Sequence, residues 1–265
     1  MMDPRNANHT FVVCAYKESP YLRECIQSLL NQTVPSVIRI TTSTPGEYIQ
    51  KAAEEFGLEL IVNTESRGIA ADWNFAMEQC DTPYCTLAHQ DDVYDPAYTE
   101  TILQRMTDDT LIAFSEYYEL RGEERTAATI NLKIKRILLR GLKNSKHAGS
   151  RSRKWRALSL GNAICCPAVT YNMKNIPHGL FQEGMRSNID WQAWEVLSRM
   201  EGKFQYVASP LMAHRIHEGS ETTQTIKARQ RTGEDFEMFR KFWPEPAARL
   251  LTCVYASSEK TNSET

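Results

Sequence analysis

Apolar runs alternate with stretches of helical period through the first hundred residues, and this alternation constrains the fold most. Thr10–Ala15, Val37–Thr41, Leu58–Val62 and Pro83–Leu87 read as short buried strands. Between them, Tyr21–Asn31 places Leu22, Cys25, Ile26, Leu29 and Leu30 on one helical face. Glu47–Phe56 ends at Gly57, and Ile69–Gln79 follows an Arg67-Gly68 turn. Parallel strands need crossover connections, and helices supply them. The expected fold class is therefore α/β, with a mainly parallel sheet flanked by helices and a nucleotide-binding layer at the strands' carboxyl ends. No GxGxxG or GxxxxGK[ST] loop is present, so neither a dinucleotide oxidoreductase nor a Walker-type NTPase is supported. Ser19 is expected to cap the first helix, with Pro20 at its first position.

Further along, the pattern predicts a helix over Tyr98–Met106 and a strand at Leu111–Ser115, with Glu116–Leu120 as its extension. It also predicts a strand over Ile164–Tyr171, a helix through Arg199 with Asp190 near its start, and a strand at Phe204–Ala208. A helical tail from Thr223 is broken at Pro244 and Pro246. The organisation expected is one domain over residues 1–222, carrying a basic insert at 125–156, and a helical C-terminal extension over 223–265.

The insert stands out by charge. Between Glu124 and Glu183 lie twelve of the 31 basic residues and none of the 33 acidic ones. Ile130, Ile134, Ile137, Leu138 and Leu142 share a helical face, with Lys133, Lys135, Arg136, Arg140 and Lys143 filling much of the remainder. Such a helix either docks on the core with a solvated basic face or lies on an anionic membrane. Asn144–Arg153 reads as a polar, mobile loop.

The chemistry concentrates in Thr86-Leu-Ala-His-Gln-Asp91-Asp92-Val-Tyr-Asp95-Pro96. Adjacent carboxylates at a strand end repel, and a hard divalent cation between them relieves the repulsion. The competing reading is a solvated turn, since Asp-Asp followed by Asp-Pro is also loop punctuation. The seven cysteines follow no CxxC spacing and read as reduced thiols of a cytoplasmic protein, and no Cys and His cluster has zinc spacing. The N-terminus shows no apolar run of signal-peptide type, and no run is long enough to span a bilayer.

In order, Val12–Glu18 with Tyr21–Thr33, Gly68–Asn74, Ala88–Asp92, and Asp190-Trp191 through Arg215-Ile-His217 resemble the blocks of family 2 glycosyltransferases of the GT-A (Rossmann-like) fold. The resemblance spans roughly residues 10–220. It implies an inverting transfer from a nucleotide-sugar, usually a UDP-sugar, with Mn²⁺ or Mg²⁺ as cofactor. It implies that Ala15, Tyr16, Glu18, Thr42, Ser43, Arg67, Gly68, Asn74, Gln90 and Asp91 contact the nucleotide. For Tyr16 and Glu18 the alternative is a simple turn into the helix. Asp91, His89, Asp92 and His217 are the implied metal ligands, with His214 a substitute or a core histidine. Asp190 is the implied catalytic base, and it also suits a helix N-terminus. The sequence departs from the family at His89, which stands where the first acid of the DxD motif is usual. It departs again at Thr41–Thr44, where acidic residues usually meet the base or ribose, and at Lys17, which replaces an amide.

The function expected is transfer of a sugar to a saccharide or lipid-linked acceptor at the cytoplasmic side, with no nucleic-acid partner. Peripheral membrane contact would run through residues 125–156. The alternative is a non-catalytic GT-A module that binds a partner enzyme or an anionic membrane.

Overall fold

The computed structural model describes residues 7–65, 68–217 and 231–263, with side chains to residue 256. β1 (His9–Ala15), β2 (Val37–Thr42), β3 (Glu59–Val62) and β4 (Tyr84–His89) are joined by α1 (Leu22–Leu30), α2 (Glu47–Phe56) and α3 (Ile69–Glu78). β2, β1 and β4 lie side by side and parallel, with β3 outside β2. β1 is central, and Phe11, Val12 and Val13 are fully buried. Phe11 and Val13 face one hydrophobic cluster and Val12 the other, as a strand's period of two requires when both sheet faces are covered.

The second half completes the sheet. β5 (Val93–Tyr94) and α4 (Tyr98–Leu103) precede β6 (Thr110–Arg121), which includes the expected Glu116–Leu120 extension. β7 (Glu124–Thr126), α5 (Ile130–Leu139), α6 (Arg151–Leu158), β8 (Val169–Asn172), α7 (Ile189–Arg199) and β9 (Lys203–Arg215) follow. α8 (Arg231–Phe242) and α9 (Glu245–Ser263) form the tail. The strand order is β3-β2-β1-β4-β8-β6-β9-β5, with β7 on β6. β8 runs antiparallel to β4 and β6, and β9 parallel to β6. The sheet is thus mixed and mainly parallel.

The structure departs from the sequence pattern in four places. The strand expected over Ile164–Tyr171 begins only at Val169, because Pro167 has no N–H to give a ladder and Cys166–Ala168 forms a 3-10 turn. Asn144–Arg153 is not a loop throughout: a 3-10 turn covers Ser145–His147 and α6 starts at Arg151. Ser19 does not cap α1, whose N-cap is Tyr21 with no side-chain bond. The tail breaks before Glu245 but not at Pro246, which lies in the first turn of α9, and it joins the core. Met238 and Phe239 are fully buried in the same cluster as Trp191 and Trp194, and the Trp191 and Phe239 rings meet edge-on at 5.2 Å.

α6 is held by a buried cation. Lys154 is fully buried, and its Nζ donates to the carbonyls of Met200 at 2.7 Å and Gly202 at 3.0 Å. Burial, with Arg151 nearby, pulls its pKa down to about 8. Lys154→Met keeps the aliphatic stem but strands both carbonyls. It is expected to lower the unfolding free energy by about 2–4 kcal/mol in urea titration, and a change under about 0.5 kcal/mol would contradict this role.

Candidate functional site

The end of β4 and the end of β9 meet through strand pairing. β5 follows the acid pair directly and pairs antiparallel with β9, Val93 opposite Ala213. That register sets Asp92 against His214 and Arg215. Asp92 is buried, and its Oδ1 accepts from the Arg215 backbone N–H at 2.9 Å and pairs with His214 Nδ1 at 3.0 Å. Burial opposes charge on His214, but the Asp92 carboxylate outweighs it and raises the His214 pKa.

Asp91 points the other way. Its Oδ1 accepts from Ser19 Oγ at 2.6 Å, and its Oδ2 lies 3.0 Å from His217 Nε2. Its backbone is fixed as well, since Arg215 Nε donates to the Asp91 carbonyl at 2.9 Å. The Arg215 guanidinium also pairs with Glu24 at 2.5 Å and lies 4.2 Å from the Tyr21 ring centre. The Ser19 hydroxyl donates to Asp91 and accepts from the Tyr21 N–H at 3.4 Å, one step ahead of α1.

The four expected metal ligands differ in their surroundings. Asp92 is buried, and its Oδ2 has no hydrogen-bond partner among the described residues. The His89 ring stacks on Trp73 at 5.2 Å, and its Nε2 is buried without a hydrogen-bond partner among the described residues. Burial lowers the His89 pKa, and the ring packs against Trp73. Among the described residues no cluster of three or more His, Cys, Asp or Glu side chains could hold a metal. Of the four expected ligands, Asp91 and His217 lie directly against each other, at 3.0 Å. Adjacent ligands on an octahedral cation at about 2.1 Å lie about 3 Å apart, which matches their spacing. One carboxylate and one imidazole with open positions fit a hard divalent cation that also takes phosphate oxygens and water.

Beside Asp91, the β1 end forms a tight turn. Ala15 is buried, while Tyr16 is half exposed and Glu18 exposed. The Gln90 amide bonds both ways to the Tyr16 backbone, at 3.0 and 2.9 Å. Lys17 takes a left-handed φ of 54°, and its N–H donates to Thr44 Oγ1 at 2.7 Å. Gln90 thus shapes this turn and is not presented freely. At the β2 end, Thr42 Oγ1 accepts from the Thr44 N–H at 3.0 Å. Ser43 Oγ donates to Asp72 at 2.8 Å, and the Asn63 amide donates to the same carboxylate at 2.9 Å. The sequence pattern missed Asp72: the carboxylate absent from the Thr41–Thr44 turn arrives from α3. Its signal lay inside the Gly68–Asn74 block.

Gly68 opens α3 with φ 118°. Arg67 lies outside the described residues. Asn74, expected at the nucleotide, has its side chain bound both ways to the Phe181 backbone, at 2.7 and 3.0 Å. It fastens the segment that leads to Asp190.

Asp190 sits in the first turn of α7, whose N-cap is Asn188. Asn162 Nδ2 donates to its Oδ2 at 2.7 Å, and the Trp191 N–H donates to its Oδ1 at 2.7 Å. Burial raises the Asp190 pKa, while these two bonds and the charges of Arg231 and Lys135 hold the rise down. The tail fixes the approach to Asp190. Glu234 accepts the consecutive backbone N–H groups of Arg186, Ser187 and Asn188, at 2.8, 2.7 and 3.1 Å. Asp235 accepts from the Asn188 amide at 2.8 Å. Neither residue was flagged by pattern, since a tail helix gives no sign of what it caps.

The chain is a mixed α/β domain with the Asp91–His217 pair near the ends of β4 and β9. The sequence profile of "Glycosyl transferase family 2" matches residues 10–174, more than half of the chain, and the chain belongs to that family. Glycosyltransferase GlyA of Streptococcus pneumoniae is 26% identical over 121 residues, 43% of this chain and 17% of the relative. Putative glycosyltransferase EpsH of Bacillus subtilis is 26% identical over 113 residues, 41% of this chain and 33% of the relative. The matched region therefore spans a third or less of these relatives. Among solved structures, S. aureus TarS 1-349 in complex with UDP has a TM-score of 0.60 at 12% identity, covering 93% of this chain and 70% of that one. Mannosyltransferase PcManGT from Pyrobaculum calidifontis, in complex with GDP-Man and Mn2+, has a TM-score of 0.59 at 12% identity, covering 94% and 69%. These likenesses establish the GT-A fold.

The two acids of the pair should separate in experiment. Asp92→Ala removes a buried, bonded carboxylate and is expected to cost about 3–5 kcal/mol of stability. Asp91→Asn is expected to stay within about 1 kcal/mol of the parent. Equal losses in thermal or urea unfolding would contradict the division of roles.

Proposed function

We propose that the domain moves a sugar from a nucleotide-sugar, with a UDP-sugar as the first choice, to a saccharide or lipid-linked glycan acceptor in polysaccharide biosynthesis, inverting the anomeric centre. The observation that carries this reading is the placement of Asp190. Its carboxylate lies in the first turn of α7, bonded by Asn162 and the Trp191 N–H, and burial raises its pKa toward the range a general base needs.

In this reading Asp190 accepts the proton of the acceptor hydroxyl as that oxygen attacks the anomeric carbon. The bond from that carbon to the donor's diphosphate breaks, and the diphosphate leaves with the electron pair. Asn162 and the Trp191 N–H aim the carboxylate. Tyr16, Ser43 and Asp72 line the nucleoside end, with Asp72 and Asn63 offering hydrogen bonds to base or ribose. A divalent cation held by Asp91 and His217 would offset charge on the leaving diphosphate. No described helix is long and apolar enough to cross a membrane. A lipid-linked acceptor would bring the domain to a membrane's cytoplasmic face, with residues 125–156 as the contact. Residues 1–222 then form the transferase domain, with 223–265 as an extension that braces the base.

Asp190→Asn is expected to lower kcat by about 10²–10⁴-fold with donor affinity retained, measured with UDP- and GDP-sugars. Retained turnover would remove Asp190 as the base, and intact cellular function of that variant would favour a binding module. The pH profile gives a second check. The base works ionised and its pKa is raised, so the rate should fall on the acid side above the ordinary aspartate range. Asn162→Ala removes a bond that favours the charged form, so it should move that limb to higher pH. A limb that moves down or not at all would contradict the assignment.

A further inference from the structure

The segment with no acidic residue folds into α5 and α6, and one face of it is left without partners. α5 spends its inner side on the core. Leu132 and Leu139 are buried, Lys135 Nζ donates to the Tyr117 hydroxyl at 2.8 Å, and Arg136 pairs with Glu116 at 2.6 Å. The outer side is apolar. Ile130 is 72% exposed, Ile134 47% and Ile137 70%, spaced one turn apart, and Leu160 alongside is 46% exposed. A helix docked only on the core would show solvent a polar face here.

Next to Ile137 opens a groove of about 540 Å³, lined by Trp155 and Leu160 and by Arg140, Arg153 and Arg156. None of these three guanidiniums makes an ion pair or hydrogen bond among the described residues. Lys133, Lys143, Lys146 and Arg151 are exposed around the same face and are likewise without an acidic partner. The face therefore asks for an occupant that is both anionic and apolar. A nucleic acid would answer the arginines but leave the isoleucines in water. A second copy of this chain would set positive face against positive face.

We propose that this face docks on an anionic phospholipid bilayer, with Ile130, Ile134, Ile137 and Leu160 entering the interfacial layer and Arg140, Arg153 and Arg156 taking lipid phosphates. Interfacial helices bury a row of apolar side chains at headgroup depth, and basic residues beside them add attraction to anionic lipid. The geometry deepens the proposed function and rests on it for its consequence. α5 turns Lys135 toward Tyr117, whose ring lies 6.1 Å from that of His214, and carries the isoleucines on its outer side. Docked this way, α5 lies between the bilayer and the His214 end of the site. A lipid-linked acceptor would then approach that end from the membrane surface.

The test is flotation of the full chain with vesicles of phosphatidylcholine alone and of phosphatidylcholine mixed with phosphatidylglycerol. The expected result is binding to the mixed vesicles only. Ile134→Glu with Ile137→Glu should abolish it, and each of Arg140→Gln and Arg153→Gln should weaken it about fivefold. Unchanged circular dichroism and melting temperature confirm that the variants fold. Absent binding, equal binding to neutral vesicles, or an isoleucine double variant that floats like the parent would overturn the proposal. So would polyglutamate binding as tight as vesicle binding, which would assign the face to an acidic protein. A concentration-dependent dimer abolished by Ile137→Glu would assign it to a second copy. Flotation needs no turnover: a chain that transfers sugar but does not float defeats this proposal alone, and one that floats but transfers nothing defeats the proposed function alone.

Discussion

The site depends on how two adjacent carboxylates are kept from acting as one. Asp91 and Asp92 share a strand end, where like charges repel. The end of β9 separates them. Asp92 is drawn inward by the Arg215 N–H and His214, while Asp91 is held outward between Ser19 and His217. Arg215 joins the two halves, with its backbone on one acid and its side chain on the carbonyl of the other. A carboxylate left alone there would turn to solvent. Asp91 is instead fixed at backbone and side chain.

A second bracing device works on the acceptor side. Asp190 lies in the first turn of α7, and the chain leading into that turn is tied down twice. Asn74 fastens the Phe181 backbone from α3, and Glu234 collects three consecutive N–H groups from α8. The first comes from the parallel half of the sheet and the second from the tail. Because Phe239 packs on Trp191, the tail is part of the core that positions the base. The residues beyond the matched 10–174 region therefore matter to the site's geometry.

The parallel half of the fold was legible in sequence because both periodicities are clean there: alternating faces cannot hide in β1, nor a 3.6 period in α1. That Asp91 and His217 come together agrees with their places in ordered blocks of the family. The errors came from contacts between distant residues. Nothing local says that Ser19 gives its hydroxyl to Asp91, that Asp92 meets β9, or that Asn74 reaches Phe181. α6 was missed because its buried cation, Lys154, reads as a surface charge until Met200 and Gly202 present their carbonyls. Asp72 escaped because a carboxylate on α3 reaches the turn after β2 only in the folded chain.

The central claim is that Asp91 and His217 form the cation-bearing end of a nucleotide-sugar site. The most direct measurement is thermal unfolding with UDP and with GDP, each with and without Mn²⁺, on the parent, Asp91→Asn and His217→Ala. A ligand bound at about a hundred times its Kd stabilises the native state by about 2.7 kcal/mol. The account expects a rise in Tm with one nucleotide that requires Mn²⁺ in the parent and is lost in both variants. A nucleotide shift independent of Mn²⁺ and retained in both variants would contradict it.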